Sequence, residues 1–286
     1  MCPTILQAPA GLVPVEPMIP RHGAPAKDVM TEPLYTAKNT RVAYQLNWSY
    51  ALFWREPPKS LDWFAELQAA MEPDHIRLLN HAFDPPNVSK FLVSTTPNVV
   101  PDLIPQRVKG RLQHLLQRTM PRAFQRNYSL RSIGSTKRDR VEAYVASQLG
   151  HHPMADERVQ QRLEKYQVYD ETVDLSRQRQ TSRALYWYNL HLVFVMRDRN
   201  MHIKDETLTA IRNMICAAAK KKGHCLSRAA VLPDHIHLTI GCDLAESPEQ
   251  IALSYLNNLA FAVGMKPLFE YGNWVGAFGE YDLGAV

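Results

Sequence analysis

Two histidines lie two residues apart near the end of the chain, in the segment Pro233–Ile240. Alternate side chains of an extended strand point to the same face, so His235 and His237 share one face while Ile236 and Leu238 point to the other. Two neutral imidazoles side by side form half of a divalent-metal site. A lone His-x-His pattern is common, however, and a packing role is the alternative interpretation.

A tyrosine and a glutamine at helical spacing form a second candidate element. Thr136 and Asp139 have the spacing of a capping box, which predicts that a helix begins there. Tyr144 and Gln148 are four residues apart on that helix, so they lie on one of its faces. Considered alone, the pair is more simply interpreted as a half-buried tyrosine with a polar neighbour.

The segment from Arg107 to Arg140 is strongly basic, with ten arginines and lysines against one acidic residue, Asp139. A solvated helix usually mixes both signs, so this imbalance favours a surface that follows a phosphate backbone, although a plain solvated face is the alternative. Tyr128 and Trp274 are either stacking partners for unpaired bases or core residues. The predicted DNA-binding residues are Arg107, Lys109, Arg111, Arg118, Arg126, Arg131 and Lys137.

Composition restricts the class of protein. The chain has 286 residues, of which 45% are hydrophobic and 21% charged, and its formal net charge is +5. No apolar run is long enough to span a bilayer, and the start of the chain lacks the pattern of a secretory signal. The four cysteines form no CxxC pair, which fits a reducing compartment. We therefore expect a cytoplasmic, nucleoid-associated protein with a polyanionic partner and no membrane contact.

The chain is organised as two copies of one unit. Each copy is predicted to contain a strand, a helix, two strands, a helix and a strand, which suits a sheet with helices on one face and the other face open. The predicted divisions are an extended or disordered Pro-rich leader at 1–40, a domain at 41–168, a linker at 169–182 and a second domain at 183–286.

The repeat also predicts which residues correspond. Gly134 and Gly279, which close the two copies, are 145 residues apart, and Asn47 and Asn189 in their opening strands are 142 apart. On this offset the His-x-His strand falls opposite 88–93, with Ser89 and Phe91 near the two histidine positions. The first copy therefore has the strand without the metal ligands.

This combination of motifs resembles the TnpA-like single-tyrosine HUH transposases, including the REP-associated tyrosine transposases. The resemblance rests on Pro233–His237, on the helical Tyr144–Gln148 and on Phe124–Gly134 ahead of it, and it extends over 41–286. It implies an α+β fold with one ferredoxin-like (RRM-like) domain per copy, an antiparallel sheet with helices on one face. It also implies paired domains, in which the His-x-His of one meets the tyrosine of the other.

The resemblance further assigns residues and a reaction. Tyr144 would be the nucleophile, and His235, His237 and Gln148 would hold Mg²⁺ or Mn²⁺. Attack by the tyrosine would leave a covalent 5′-phosphotyrosine and a free 3′-hydroxyl, so that single-stranded or hairpin DNA is cleaved and rejoined without a nucleotide cofactor.

Each copy contains only one part of such a site. The first has the tyrosine helix, and the second has the histidine pair, whose own tyrosine would stand at position 289, beyond Val286. We therefore expect a fused pseudo-dimer with one composite site, able to act as a monomer.

Other functions are compatible with the sequence. A domesticated hairpin-DNA-binding or regulatory protein would keep the fold without catalysis, and a sheet-based RNA-binding module would need neither motif. A replication initiator or relaxase uses similar chemistry but usually carries further domains. The remaining histidines considered, His151, His152, His191 and His224, are interpreted as surface or packing residues.

Overall fold

The two halves of the chain contain the same succession of strands and helices. The computed structural model describes residues 32–151, 154, 156–264 and 267–285. The first half consists of β1 (Arg41–Gln45), β2 (Asn47–Trp54), α1 (Phe64–Met71), β3 (Ile76–Asp84), β4 (Val88–Thr95), α2 (Leu103–Leu116), β5 (Phe124–Ile133), α3 (Arg138–Ala146) and α4 (Glu157–Glu164). The second consists of β6 (Val168–Tyr169), β7 (Arg179–Gln180), β8 (Ala184–Trp187), β9 (Asn189–Met196), α5 (Asp205–Lys222), β10 (Cys225–Val231), β11 (His235–Gly241), α6 (Pro248–Ala262) and β12 (Phe269–Phe278).

These strands form two six-stranded sheets with a common core arrangement. The first sheet has the order β3-β4-β2-β5-β8-β7 and the second β1-β12-β9-β11-β10-β6. In each, the four strands of one strand-helix-strand-strand-helix-strand unit lie in the order second, third, first, fourth, which is the ferredoxin-like arrangement. The predicted fold class, α+β with two tandem ferredoxin-like units, is confirmed.

The leading strand of each half pairs with the sheet of the other half, and β7 extends the first sheet beyond β8. β1 pairs in parallel with β12, where Arg41 is opposite Gly272, and β8 pairs in parallel with β5, where Ala184 is opposite Tyr128. The divisions at 41 and 183 had assigned each leading strand to the sheet of its own half. Sequence pattern does not distinguish these alternatives, because added edge strands pair through backbone groups that every residue carries.

The halves meet where the two closing glycines approach the opposite backbone. Leu283 N donates to Gly134 O at 3.2 Å, and Arg138 N donates to Gly279 O at 2.7 Å, so the two bonds are equivalent under the repeat. A Cβ atom on either glycine would overlap a carbonyl oxygen in the last strand of the other half. This close approach explains why both copies end in glycine.

Helices cover one face of each sheet. α2 contacts β2 and β5, α5 contacts β10, and α6 contacts β9 and β12. Alternate residues of the central strands are fully buried on these faces, for example Trp48 and Tyr50 in β2 and Leu190 and Leu192 in β9. α6 begins with a capping box, in which Ser247 and Gln250 bond reciprocally. None of the described helices has the length and apolarity needed to cross a membrane.

The predicted leader and linker are partly folded. Residues 1–31 of the leader lie outside the described residues. Tyr35, also in the predicted leader, is buried, and its hydroxyl lies 3.0 Å from Phe269 O and 2.8 Å from Phe269 N. This end of the leader is therefore anchored, because an apolar ring with a satisfied hydroxyl is stable in the core. The predicted linker contains β7 and the buried Leu175.

Candidate active site

The predicted histidine pair lies on the face of the second sheet opposite α5 and α6. In β11, Ile236 and Leu238 are fully buried toward the helices, so His235 and His237 point to the other face. Their ring centroids are 5.0 Å apart. His237 is 4% exposed and thus shielded from bulk water.

A third histidine belongs to the same face. His191 in the adjacent strand β9 places its Nε2 atom 2.9 Å from Nδ1 of His237, and the two rings stack with centroids 5.1 Å apart. One of the two nitrogens must carry the shared proton. If His237 donates from Nδ1, its Nε2 keeps a lone pair for a ligand. The interpretation of His191 as an ordinary packing residue misses this contact.

Burial keeps these two imidazoles neutral. It lowers the pKa of His191 to about 4. Burial and the neighbouring His191 and His235 lower the pKa of His237 to about 2. The neutral imidazole is the form that binds a metal ion, so His237 needs to lose no proton at neutral pH.

His235 is oriented by its neighbour in sequence. Its Nδ1 lies 2.7 Å from Oδ1 of Asp234, whose other oxygen is 3.4 Å from Arg199. A carboxylate on one imidazole nitrogen is the usual support of a metal-binding histidine, since it fixes the ring and its tautomer. Nε2 of His235 is then the nitrogen available to a ligand.

Helix α3 brings Tyr144 from the first half onto this face. The helix crosses β10 and β11, and the Tyr144 ring centroid lies 5.6 Å from that of His237 and 6.1 Å from that of His191. Tyr144 is 47% exposed. Among the described residues, none forms a hydrogen bond with its hydroxyl. His151, interpreted as a surface residue, has its ring 6.0 Å from the tyrosine ring.

A group of ion pairs holds α3 in place. Arg138 pairs with Glu142 at 2.5 Å, one turn further along the helix, and with Glu280 in the second half. Glu142 also accepts a hydrogen bond from the hydroxyl of Ser227 in β10. Because Glu142 is buried, its charge is stable there only while these partners remain. The position of Tyr144 therefore depends on contacts between the halves.

The start of α3 differs from the prediction. The capping residue is Lys137, and no side-chain capping bond forms, so Thr136 and Asp139 do not make the predicted capping box. Instead, the backbone N–H of Arg138, the first residue of the helix, donates a hydrogen bond to Gly279 O in the other half. A contact between segments so distant in sequence cannot be predicted from the pattern of one segment.

Gln148 lies directly after α3 and is 4% exposed. Its Nε2 donates to the carbonyl oxygen of Tyr144 at 3.0 Å, which leaves Oε1 as the atom suited to a metal. Among the described residues there is no hydrogen bond from Gln148 to either histidine of the pair. The structure thus places the Tyr144 ring against the histidines, while Gln148 is hydrogen-bonded to the backbone of Tyr144.

The donor set suits a divalent metal ion. Two imidazoles whose Nδ1 atoms have hydrogen-bond partners and one amide oxygen are ordinary ligands for Mn²⁺ or a similar ion. Within the described part of the chain, no three His, Cys, Asp or Glu side chains form a metal cluster. A metal at this site would therefore need the amide, water or the DNA phosphate to complete its coordination.

A cavity of about 560 Å³ lies between one side of α3 and strands β9, β11 and β12. Its lining includes Arg140 and Tyr144 from the first half and His191, His237 and Trp274 from the second. The Trp274 ring stands 5.1 Å from that of His191 at a steep angle. Trp274 thus lines the cavity, where a flat base could reach it.

The predicted DNA-binding residues on α2 have partners within the protein. Arg107 and Arg111 lie 3.9 Å and 2.5 Å from the carboxylate of Asp74. Lys109 donates to three consecutive backbone carbonyls, at 125–127, over 2.9–3.0 Å, and burial lowers its pKa to about 8. Lys109 therefore supports the start of β5 and has no free proton donor for a phosphate.

The other predicted DNA-binding residues are more accessible. Arg118, Arg126 and Lys137 are exposed. Arg131 lies on β5, where the adjacent Leu130 is buried toward the helices, so Arg131 points to the opposite, open face. The structure thus distributes the basic segment over two faces of the first sheet.

The corresponding face of the first sheet carries no histidine pair. Lys90 in β4 is opposite Ala51 of β2, just as His237 in β11 is opposite Val193 of β9. Lys90 therefore takes the place of His237, and by the same register Val88 takes that of His235. The predicted counterparts, Ser89 and Phe91, are buried toward the helices, because a shift of one residue moves a side chain to the other face.

Part of the second half is similar in sequence to a known protein family. Residues 184–259 match the sequence model of a family described as IS200-like transposase. This segment contains His191, His235 and His237, and Tyr144 lies outside it. None of the curated proteins compared with the chain matches it.

Two solved structures are similar to parts of the chain. A protein from Deinococcus radiodurans R1, assigned as a transposase, is 18% identical over 34% of this chain and 84% of its own, with a TM-score of 0.31. A REP-associated tyrosine transposase bound to a REP hairpin is 15% identical over 33% of this chain and 58% of its own, with a TM-score of 0.29. The family match agrees with the resemblance predicted from the sequence motifs: residues 184–259 of this chain are similar to the IS200-like transposases.

Proposed function

We propose that the chain is a metal-dependent transposase that cleaves and rejoins single-stranded DNA through Tyr144. The observation that supports this most is the distance of 5.6 Å between the rings of Tyr144 and His237, which belong to different halves of the chain. A tyrosine with an unbonded hydroxyl beside neutral histidines has no evident structural purpose on an open sheet face.

In this proposal Tyr144 supplies the attacking oxygen. Its phenolic oxygen forms a bond to phosphorus while the bond from phosphorus to the 3′ oxygen breaks. The phenol loses a proton and the 3′ oxygen gains one, which leaves a 5′-phosphotyrosine and a free 3′-hydroxyl. Because the new ester is again a phosphodiester, a second 3′-hydroxyl can reverse the step without a nucleotide cofactor.

His235, His237 and Gln148 would hold Mg²⁺ or Mn²⁺ through Nε2, Nε2 and Oε1. When bound, the ion would withdraw charge from the scissile phosphate and orient it for in-line attack. Asp234 and His191 keep the two imidazoles in the required tautomer.

We further propose that the two halves are a fused pseudo-dimer. The reciprocal exchange of β1 and β8 and the equivalent bonds at Gly134 and Gly279 are what a symmetric dimer of one unit would make. One composite site would then operate in a single chain.

A non-catalytic hairpin-DNA-binding protein of the same fold is the second candidate. It is favoured by one observation, that the family match includes the histidine pair and excludes Tyr144. Such a protein would bind DNA without needing the hydroxyl of that residue.

The test is a denaturing gel of labelled hairpin DNA with single-stranded flanks, incubated with the protein and Mn²⁺. We expect a covalent adduct that is lost with EDTA, with Tyr144→Phe and with His235→Ala. Tyr169→Phe, which removes the hydroxyl of another exposed tyrosine, should retain it. Binding with no adduct under any of these conditions would support the second candidate.

A further inference from the structure

The open face of the first sheet contains a hollow of its own. It has a volume of about 330 Å³, and its lining includes Ser49, Lys90, Ser129, Arg131 and Tyr281. By strand register this face is the counterpart of the candidate active site. Its lining residues come from β2, β3, β4, β5 and Tyr281, and no residue of a described helix takes part.

A cation in contact with two neighbouring aromatic rings borders this hollow. The Arg131 guanidinium lies 4.9 Å from the centroid of the Trp187 ring and 5.7 Å from that of Tyr281, and the two rings are 6.1 Å apart. Trp187 is fixed by a 2.8 Å hydrogen bond to Ser176 O, whereas Tyr281 is 43% exposed. Among the described residues, no carboxylate pairs with Arg131.

The lining offers hydrogen-bond donors and two cations. Ser129 is buried, and its hydroxyl has no hydrogen-bond partner among the described residues. Lys90 forms an ion pair with the exposed Asp84, at 2.9 Å. Within the described part of the chain, no acidic side chain lines the hollow itself. The site therefore presents positive charge, hydroxyl donors and ring faces, and it lacks the metal ligands and the tyrosine of its counterpart.

We infer that this face binds a second stretch of single-stranded DNA and does not cleave it. Aromatic faces stack on unpaired bases, and arginine and hydroxyl groups bind the phosphates between them, which is the usual composition of single-strand sites. The inference rests on the proposed function for the identity of the ligand. One chain would then bind two segments of single-stranded DNA. The segment at Tyr144 would be cleaved, and the segment at Arg131 would be held without cleavage.

The binding test uses full-length protein carrying Tyr144→Phe, so that no covalent product forms. Fluorescence anisotropy is measured with a labelled DNA hairpin that has single-stranded flanks, and with the same hairpin lacking flanks. Arg131→Gln with Tyr281→Ala should weaken binding of the flanked hairpin about tenfold. It should also lower the slope of the logarithm of affinity against the logarithm of salt concentration by about one, because one phosphate contact is lost. The blunt hairpin should lose less than about threefold.

A matched control removes one exposed cation and one exposed ring elsewhere. Arg158→Gln with Phe261→Ala should change neither affinity. Equal losses in the control and in the Arg131 and Tyr281 variant would overturn the inference, as would an unchanged affinity for the flanked hairpin.

Photocrosslinking supplies a second readout that needs no substitution. With 5-iododeoxyuridine placed at successive flank positions, we expect crosslinked peptides containing Tyr281 or Trp187. Crosslinks confined to the Tyr144 side would contradict the inference. If wild-type protein forms no adduct with Mn²⁺ but the Tyr281 crosslink persists, the proposed catalysis fails and the binding face stands.

Discussion

The two sheets share one strand order, yet their open faces have different chemistry. The second has three imidazoles beside a tyrosine, and the first has Lys90 together with Arg131, which lies against two aromatic rings. Their buried faces are both apolar, as Phe91 and Leu238 at one corresponding position show. Inward residues thus maintain the scaffold, while outward residues determine the chemistry and can change without unfolding it.

The largest expected difference is between corresponding positions of β11 and β4. His235→Ala should reduce adduct formation in Mn²⁺ by about 100-fold or more, because a metal ligand is lost. Val88→Ala, at the same position of the first sheet, should stay within about twofold, because a small apolar change at a partly exposed position matters little. The rates are measured by quenched time courses on denaturing gels. Similar losses of adduct formation in both variants would contradict the proposal that the catalytic site lies on the second sheet.

Detaching α3 should separate the tyrosine from the histidines. Glu142→Gln weakens the pair with Arg138 and the bond from Ser227, so we expect about 2 kcal/mol lower free energy of unfolding and about tenfold slower adduct formation. Affinity for Mn²⁺ should fall by less than about threefold, because His235 and His237 belong to the other half and only Gln148 follows α3. The measurements are urea unfolding, gel kinetics and calorimetric Mn²⁺ titration. A loss of Mn²⁺ affinity as large as the loss in adduct formation would contradict the assignment of the two histidines as the main ligands.

Removing the third histidine should affect the metal more than the fold. His191→Gln perturbs the partner of His237 Nδ1, and loss of such a support typically weakens metal binding by about tenfold. Calorimetric titration with Mn²⁺ gives the affinity, and Ser49→Ala at the corresponding position of the first sheet gives the comparison. An unchanged affinity in His191→Gln would mean that its contact with His237 is only packing.

The smallest effect is a pH dependence of stability without metal. Burial lowers the pKa of His191 to about 4 and that of His237 to about 2, whereas unfolded histidine has an ordinary value near 6.5. The unfolded state therefore binds more protons below about pH 6.5, and the free energy of unfolding should fall as the pH falls toward 4, by about 1 kcal/mol per unit for each of the two histidines. Urea unfolding in EDTA at pH 7 and pH 5 measures this slope. His191→Gln should flatten it, and an unaltered slope would contradict the assigned protonation.

Local periodicity predicted which residues of each candidate element lie on one face. Alternation in β11 places His235 and His237 together, and helical spacing predicted Tyr144 beside Gln148, which the structure places in α3 and in the short 3-10 helix Gln148–Gly150 that follows it. The contacts between halves were not accessible in this way. His191 is an ordinary residue of β9 until β11 lies beside it, although its alternation with the buried Leu190 and Leu192 marks it as outward-facing.

Register was the other limit. The repeat offset is 142 at the opening strands and 145 at the closing glycines, so the offset of an intermediate strand is uncertain by several residues. An error of one residue was enough to exchange Lys90 for Ser89 or Phe91 as the counterpart of a histidine. Likewise, charge counting cannot tell that the Lys109 ammonium is already bound to three carbonyls.

The exchange of β1 and β8 has a consequence for self-association. In an isolated ferredoxin-like unit, β5 or β12 would be a ten-residue strand with one unpaired edge, and such edges recruit other chains. Here short strands cover them, β8 with four residues and β1 with five. A half produced alone would expose that edge together with its own unpaired leading strand, and we expect it to assemble with a second copy by swapping that strand. Joining the halves in one polypeptide makes this pairing intramolecular, so it no longer depends on protein concentration.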